Sequence, residues 1–253
     1  MTQTEIRKNI LKMANRAKSP HIGSALSCVD ILYTLYFKIL KLENYAQRDI
    51  FLLSKAHAAM ALYVTLNAKG FMSDEEILGY YQNNGTLPAH TDRFSSPYIE
   101  ISAGSLGHAL PMSVGIAMSI KNENRKVYVL IGDGETQEGS IWEAAMLAPK
   151  LNLNNLCVLI DYNNLQGYGR AKEITSFEPI DKKWESFGWE CVIVDGHDVQ
   201  ALQKAMSIKT DKPLCIVCKT IKGKGVEFME NELKWHYYIV ADEILNSALR
   251  VLK

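Results

Sequence analysis

The sequence predicts an α/β fold with three layers, α/β/α, around a mainly parallel sheet. Three observations carry this expectation. Short apolar runs bounded by turn signals recur at 49–53, 127–131, 156–160, 191–194 and 214–219, with the length and composition of buried strands. Segments with helical spacing alternate with them, most clearly 139–150, where Ile141, Ala145, Leu147 and Ala148 mark one face. The chain has 253 residues, 47% of them hydrophobic, which suits one large domain spanning 1–253 and leaves no room for a second independent one.

The remaining elements follow in order. Residues 4–17 form a helix on the stripe Ile6, Ile10, Leu11, Met13 and Ala14. Ser19-Pro20-His21-Ile22-Gly23 breaks it, and 24–40 reads as one long, largely apolar helix, buried in the core or at a subunit interface. After the strand at 49–53 comes a turn, Ser54-Lys55-Ala56-His57, and a helix over 58–69. Ser73 and Glu76 have the spacing of a capping box, opening a helix that ends near Asn83-Asn84-Gly85. Residues 87–92 are irregular, 102–108 form a glycine-bearing loop, and 109–121 is a helix with Pro111 in its first turn. Beyond 160, the sequence predicts a loop at 170–179, helices over 180–187, 199–208 and 240–252, a turn at Asp195-Gly196-His197-Asp198, and a flexible basic loop at 221–225.

Lysine plus arginine equal aspartate plus glutamate, so the formal charge is zero and nothing points to nucleic acid or an anionic membrane. There is no signal peptide and no apolar run long enough to span a bilayer; a cytoplasmic location is expected. Cys215 and Cys218 are formally a CxxC, but inside a strand their side chains point to opposite faces, so buried thiols are expected rather than a metal or redox pair.

The chemistry concentrates at 127–169. Gly132-Asp133-Gly134 follows one strand, and Asp161, Asn163 and Asn164 follow the next. Ligands bind outside the carboxyl ends of strands in a parallel sheet. If the two strands are neighbours, Asp133 and Asn163 face one crevice. Hard oxygen donors suit Mg2+ or Ca2+ completed by phosphate, and the glycines let backbone N–H groups approach a phosphate. One GDG alone is also what an ordinary strand-to-helix turn looks like; the strand-Asp-x-Asn-Asn one helix later is what points to a metal-diphosphate site.

GDG, about thirty residues, then NN resembles the thiamine diphosphate signature, and GDGETQEGSIWEA resembles its transketolase branch. The likeness runs through the chain in family order: SPHIGSALS, LLSKAHAA, LPAHTD, AGSLGHAL and KTIKGKG…WH. It implies the thiamine diphosphate-binding fold, with Mg2+ (or Ca2+) held by Asp133, Asn163 and the carbonyl of Leu165. It implies that His57 and His236 contact the diphosphate and line the thiazolium region, and that His21 and His90 face the reacting hydroxyls of a sugar. Gly104 and Gly134 would give backbone contacts to the diphosphate, Leu106 would touch the aminopyrimidine, and Glu138 and Glu143 match glutamates where the two cofactor halves meet.

Three departures stand out: Ala56 for a usual glycine, and His108 and Ala109 for a usual glutamine and glycine. The Pro-to-Ile change at Ile22 removes a rigid residue beside His21. The resemblance covers only the first domain of a transketolase. The pyrimidine and C-terminal domains, with the glutamate that activates the aminopyrimidine, are expected on a separate C-terminal subunit, in a heterotetramer of two chains of each kind. The implied reaction is transfer of a two-carbon ketol unit from a ketose to an aldose. Rival expectations are a deoxyxylulose-phosphate-synthase-like chain, a 2-oxoacid dehydrogenase or decarboxylase subunit, and a non-catalytic subunit that kept the fold.

Overall fold

A five-stranded sheet forms the middle layer of this computed structural model, which describes residues 1–252. The α-helices are α1 Gln3–Ala17, α2 Ile22–Ser27, α3 Val29–Thr34, α4 Ala59–Lys69, α5 Asp74–Leu78, α6 Ala109–Ser119, α7 Gly139–Lys150, α8 Ala171–Ile174, α9 Ile180–Ser186, α10 Val199–Met206 and α11 Asp242–Val251. The strands are β1 Ile50–Leu53, β2 Val127–Gly132, β3 Leu156–Tyr162, β4 Glu190–Asp195 and β5 Leu214–Lys219, in the order β1-β2-β3-β5-β4 and all parallel. β2 and β3 are neighbours, with Gly132 in register with Asp161.

Alternation along each strand sorts the core into two apolar layers. Phe51, Tyr128, Leu159 and Cys218 face α1–α4, α10 and α11; Leu52, Val129, Val158 and Cys215 face α6, α7 and α9. Cys215 and Cys218 therefore lie on opposite faces, both buried, and all five cysteines are free. Among the described residues, no helix is long and apolar enough to cross a membrane.

Local chemistry sets the helix starts. Thr2 and Glu5 form a capping box on α1, and all five residues of its expected stripe are buried. Ser73 and Glu76 form the expected capping box on α5, with Ser73 N–H donating to Glu76 Oε2 at 2.7 Å, but that helix stops at Leu78. The long helix expected at 24–40 is interrupted. It breaks at Cys28, next to Ser27, whose hydroxyl donates to Asp161 Oδ2 at 2.5 Å, and its last turn, Leu35–Ile39, is a π-helix. A side-chain bond to the sheet thus competes with the straight helix that composition predicts. The loop expected at 170–179 holds the single-turn α8.

Candidate active site

Four strands deliver charged residues to one end of the sheet. Lys55 follows β1, Asp133 follows β2, Asp161 lies near the end of β3, and Lys222 lies beyond β5. Lys55 and Asp161 form an ion pair with side chains 2% and 0% exposed. Asp161 is also held by the hydroxyls of Ser27 and Thr220, while Lys55 donates to the Ser24 carbonyl at 3.0 Å. Burial works against both charges; their mutual attraction more than offsets it, raising the lysine and lowering the aspartate.

Asp133 has no such partner. Burial first, and the Asp161 charge second, push its carboxyl up to about 6. Its Oδ1 accepts from Gly134 N–H at 2.7 Å and its Oδ2 from Asn164 N–H. Asn163 Oδ1 accepts from Leu165 N–H at 3.1 Å. The crevice between β2 and β3 thus presents one carboxylate, one amide oxygen and one carbonyl oxygen. That oxygen-only set fits Mg2+ or Ca2+ sharing phosphate ligands. A buried carboxylate raised by desolvation and a like charge is the kind of group a cation relieves.

Lys222, 1% exposed, reaches into the same crevice. Its Nζ donates to the Leu165 carbonyl at 2.8 Å and lies 2.8 Å from His236 Nδ1. Burial and the Lys55 charge bring it down to about 8. The Gln166 Nε2 amide is buried without a partner beside it, a donor left for something absent from the chain. Gly134 faces Gln166 so closely that a Cβ there would lie 2.8 Å from that side chain. Two buried lysines, an orphaned amide donor and a glycine turn fit a diphosphate. Together they enclose a cavity of about 120 Å3.

The four histidines converge at its mouth, each from a different loop. His21 sits before α2 in the left-handed region, φ 71°, its N–H bonded to the His236 carbonyl at 3.0 Å. Histidine tolerates that region better than most residues, and the bond holds it there. His57 lies in a 3-10 turn, Ala56–Ala58, that leads into α4. Ala56 does not have a positive φ, so the turn does not need the usual glycine. His236 ends a second 3-10 turn, Leu233–His236. Ring centroids are 5.4 Å apart for His21–His57, 6.0 Å for His21–His90, 5.1 Å for His21–His236 and 5.7 Å for His57–His236. Burial lowers all four, His21 to about 4 and His236 to about 3, with like charges on Lys222 and the neighbouring rings adding to the effect on His21, His57 and His236. Near neutral pH the cluster is uncharged.

The structure does not gather every expected residue into the cavity. Leu106 lines it; Gly104 is exposed, and a Cβ on it would lie 3.9 Å from His90 Cδ2, on the histidine side rather than the diphosphate side. Glu138 caps α7 with no side-chain bond, and both it and Glu143 are exposed. His108 is exposed at the start of α6, outside the cavity, whereas Ala109 is buried beneath it. Sequence reasoning missed Lys55, Asp161, Lys222 and Gln166. The loop at 221–225, expected to be flexible, is held fast: Lys222 and Gly223 are buried. The signal for the lysines was available, since a charged residue one or two positions past an apolar strand sits at a carboxyl edge by construction.

Residues 2–248 match the family described as "Transketolase, thiamine diphosphate binding domain". The chain belongs to the transketolase family. Relatives include one of the separately encoded subunits of apulose-4-phosphate transketolase from Phocaeicola vulgatus, 38% identical over 96% of this chain and 90% of the relative. Another is 6-deoxy-6-sulfo-D-fructose transketolase subunit SqwG of a Clostridium species, 36% identical over 98% and 94%. Human transketolase is 33% identical over 93% of this chain but only 39% of its own length. Among solved structures, transketolase from Campylobacter jejuni superposes with a TM-score of 0.91 at 29% identity, over 99% of this chain and 42% of that one. In extent this transketolase-family chain therefore matches those two subunits nearly end to end, and about two fifths of single-chain transketolases. The transketolase branch is selected over the other thiamine diphosphate branches that the GDG…NN pattern left open.

Proposed function

We propose that this chain is the N-terminal subunit of a two-subunit transketolase. With a separate chain carrying the pyrimidine and C-terminal domains, it moves a two-carbon ketol unit from a ketose to an aldose. The observation that carries the reading is the convergence of His21, His57, His90 and His236 beside the Asp133–Asn163 crevice. Thiamine diphosphate, when bound, supplies the carbon chemistry that no side chain offers.

The chain's own residues hold and orient. Asp133, Asn163 and the Leu165 carbonyl hold Mg2+ or Ca2+, and Lys222 and Gln166 face the diphosphate. His21 and His90 bind the sugar hydroxyls and hold or move their protons. Their lowered pKa values keep them neutral near pH 7, so each offers one donor and one acceptor. His236 Nδ1 accepts from the Lys222 ammonium, which leaves the hydrogen on Nε2 as a donor.

A separate partner is supported by relatives that are themselves named as subunits, and by the outer surfaces of α6 and α7, where Met112, Met118, Met146 and Leu147 are 44–59% exposed. The assembly we propose is a cytoplasmic heterotetramer. The named substrates of those relatives, a sugar phosphate and a sulfosugar, make anionic ketoses the first donors to test. The test is ketol transfer by the chain alone and after addition of a C-terminal subunit, with thiamine diphosphate and Mg2+ present. Activity only in the mixture is expected. Turnover by the chain alone, or a complex that never binds thiamine diphosphate, overturns the reading.

A further inference from the structure

The Asp195–Asp198 turn after β4 takes no part in the cavity, yet its histidine is tied to it. His197 Nε2 accepts from the Ile221 backbone N–H at 2.8 Å. Its Nδ1 lies 2.7 Å from Asp30 Oδ2. A ring nitrogen that accepts from an amide carries no hydrogen, so the hydrogen sits on Nδ1 and is donated to Asp30. Asp30 is gripped from the other side by Arg7, at 2.5 Å from Nη2 and 3.2 Å from Nη1. Arg7 Nε then donates to the Lys224 carbonyl at 3.0 Å. One network, drawn from α1, α3 and the β4–α10 turn, thus holds both ends of the segment Ile221 to Lys224.

Lys222 lies between those two anchor points. Its sequence surroundings, Lys-Gly-Lys-Gly, have high backbone freedom. Here that freedom is removed. Gly223 N–H donates to the Gly23 carbonyl at 3.0 Å, and the Lys222 carbonyl accepts from Asn231 N–H at 2.9 Å. Gly223 has φ +79°, and a Cβ on it would come within 2.3 Å of the Met229 carbonyl oxygen. A lysine on a four-carbon stem reaches a fixed point only if its backbone is fixed, and Nζ must reach both the Leu165 carbonyl and His236 Nδ1.

We propose that His197 is a positioning residue: with Asp30 and Arg7 it sets the Ile221–Lys224 backbone and so places the Lys222 ammonium between Leu165 and His236. The consequence for cofactor binding rests on the cavity being a thiamine diphosphate site; the positioning itself does not. Imidazole suits the role because it accepts at one edge and donates at the other, bridging an amide to a carboxylate.

Two variants test it, in the chain together with its partner where binding requires one. His197→Phe keeps the ring shape and loses both bonds; His197→Gln keeps an acceptor within reach of Ile221. Exchange of the Ile221 amide hydrogen should be about tenfold or more faster in H197F and within about twofold of wild type in H197Q. Calorimetric binding of thiamine diphosphate with Mg2+ should weaken about tenfold in H197F, recover in H197Q, and show no further loss when H197F is added to K222M. Unchanged exchange at Ile221 overturns the inference. So does a lower melting temperature in H197F with unchanged cofactor affinity, or losses that add in H197F/K222M. If wild type itself binds no thiamine diphosphate, the reading of the cavity fails, and the exchange measurement still decides whether His197 positions the loop.

Discussion

The two ends of the sheet use buried polar residues in opposite ways. At the amino end, Asp49 is 3% exposed and accepts from Lys41 N–H at 3.0 Å and Lys126 N–H at 2.8 Å. Arg125 donates to the Arg48 carbonyl, and Asn155 to that of Ala117. These bonds close on the protein's own backbone and tie strand starts together. At the carboxyl end, Asp133 is buried without a cation of its own, four imidazoles are held neutral, and Gln166 Nε2 has no partner. That end is closed only when something else fills it. Cleft size points the wrong way: the amino end has clefts of about 530 and 400 Å3 against about 120 Å3 at the carboxyl end. The larger clefts are walled mostly by exposed residues such as Lys41, Glu123 and Asn124, and neither a buried lysine nor a histidine cluster converges on them. Buried titratable groups with perturbed charge, rather than volume, mark the site.

The contrast can be broken in several places. The largest effect is expected at the one buried pair of the carboxyl end that is fully matched. Lys55→Met leaves Asp161 charged and buried, at a cost of about 3–5 kcal/mol in urea unfolding; the double variant Lys55→Met/Asp161→Leu should recover much of it. Asp133→Asn should instead spare the fold and weaken Mg2+-dependent retention of thiamine diphosphate by about 100-fold or more, measured on the assembled complex, because a metal ligand is lost. Normal retention would remove Asp133 from the ligand set.

Acid should strike the carboxyl end. His21 and His236 fall from an ordinary value of 6.5 to about 4 and about 3, so below pH 6.5 the unfolded chain binds protons that the folded chain refuses. Stability should therefore decline as pH falls from 6.5 toward 4. Asp133, raised to about 6, pulls the other way and makes the decline shallower. Melting temperatures across that window should drop less steeply in His21→Asn/His236→Asn than in wild type. At the amino end, Asp49→Ala should cost about 1–3 kcal/mol by stranding two amides, with cofactor affinity unchanged. The smallest effect belongs to the surface: Met118→Ser should change the chain's stability by no more than about 0.5 kcal/mol while weakening its complex with the C-terminal subunit. Unchanged assembly would clear α6 of a role in docking.

Much of this was legible in the primary structure. Strand positions, the capping box at Ser73, the alternation of Cys215 and Cys218, and the Asp133–Asn163 crevice all follow from local periodicity and from rules about strand ends. Where local rules misled, a distant partner was responsible. The helix at 24–40 breaks beside a serine claimed by Asp161, and the loop at 221–225 is rigid because Arg7, Asp30 and His197 clamp it.

The same division holds for the site. By itself the sequence determined which residue types would edge the sheet, and in what chain order the four histidines would come. Only the tertiary structure decided that the rings lie within about 6 Å of one another, that Lys55 pairs with Asp161, and that Lys222 is buried against His236. The physical reason is separation along the chain. Periodicity and capping act over a few residues, whereas burial and charge pairing depend on groups that are brought together only when β1, β2, β3 and β5 align.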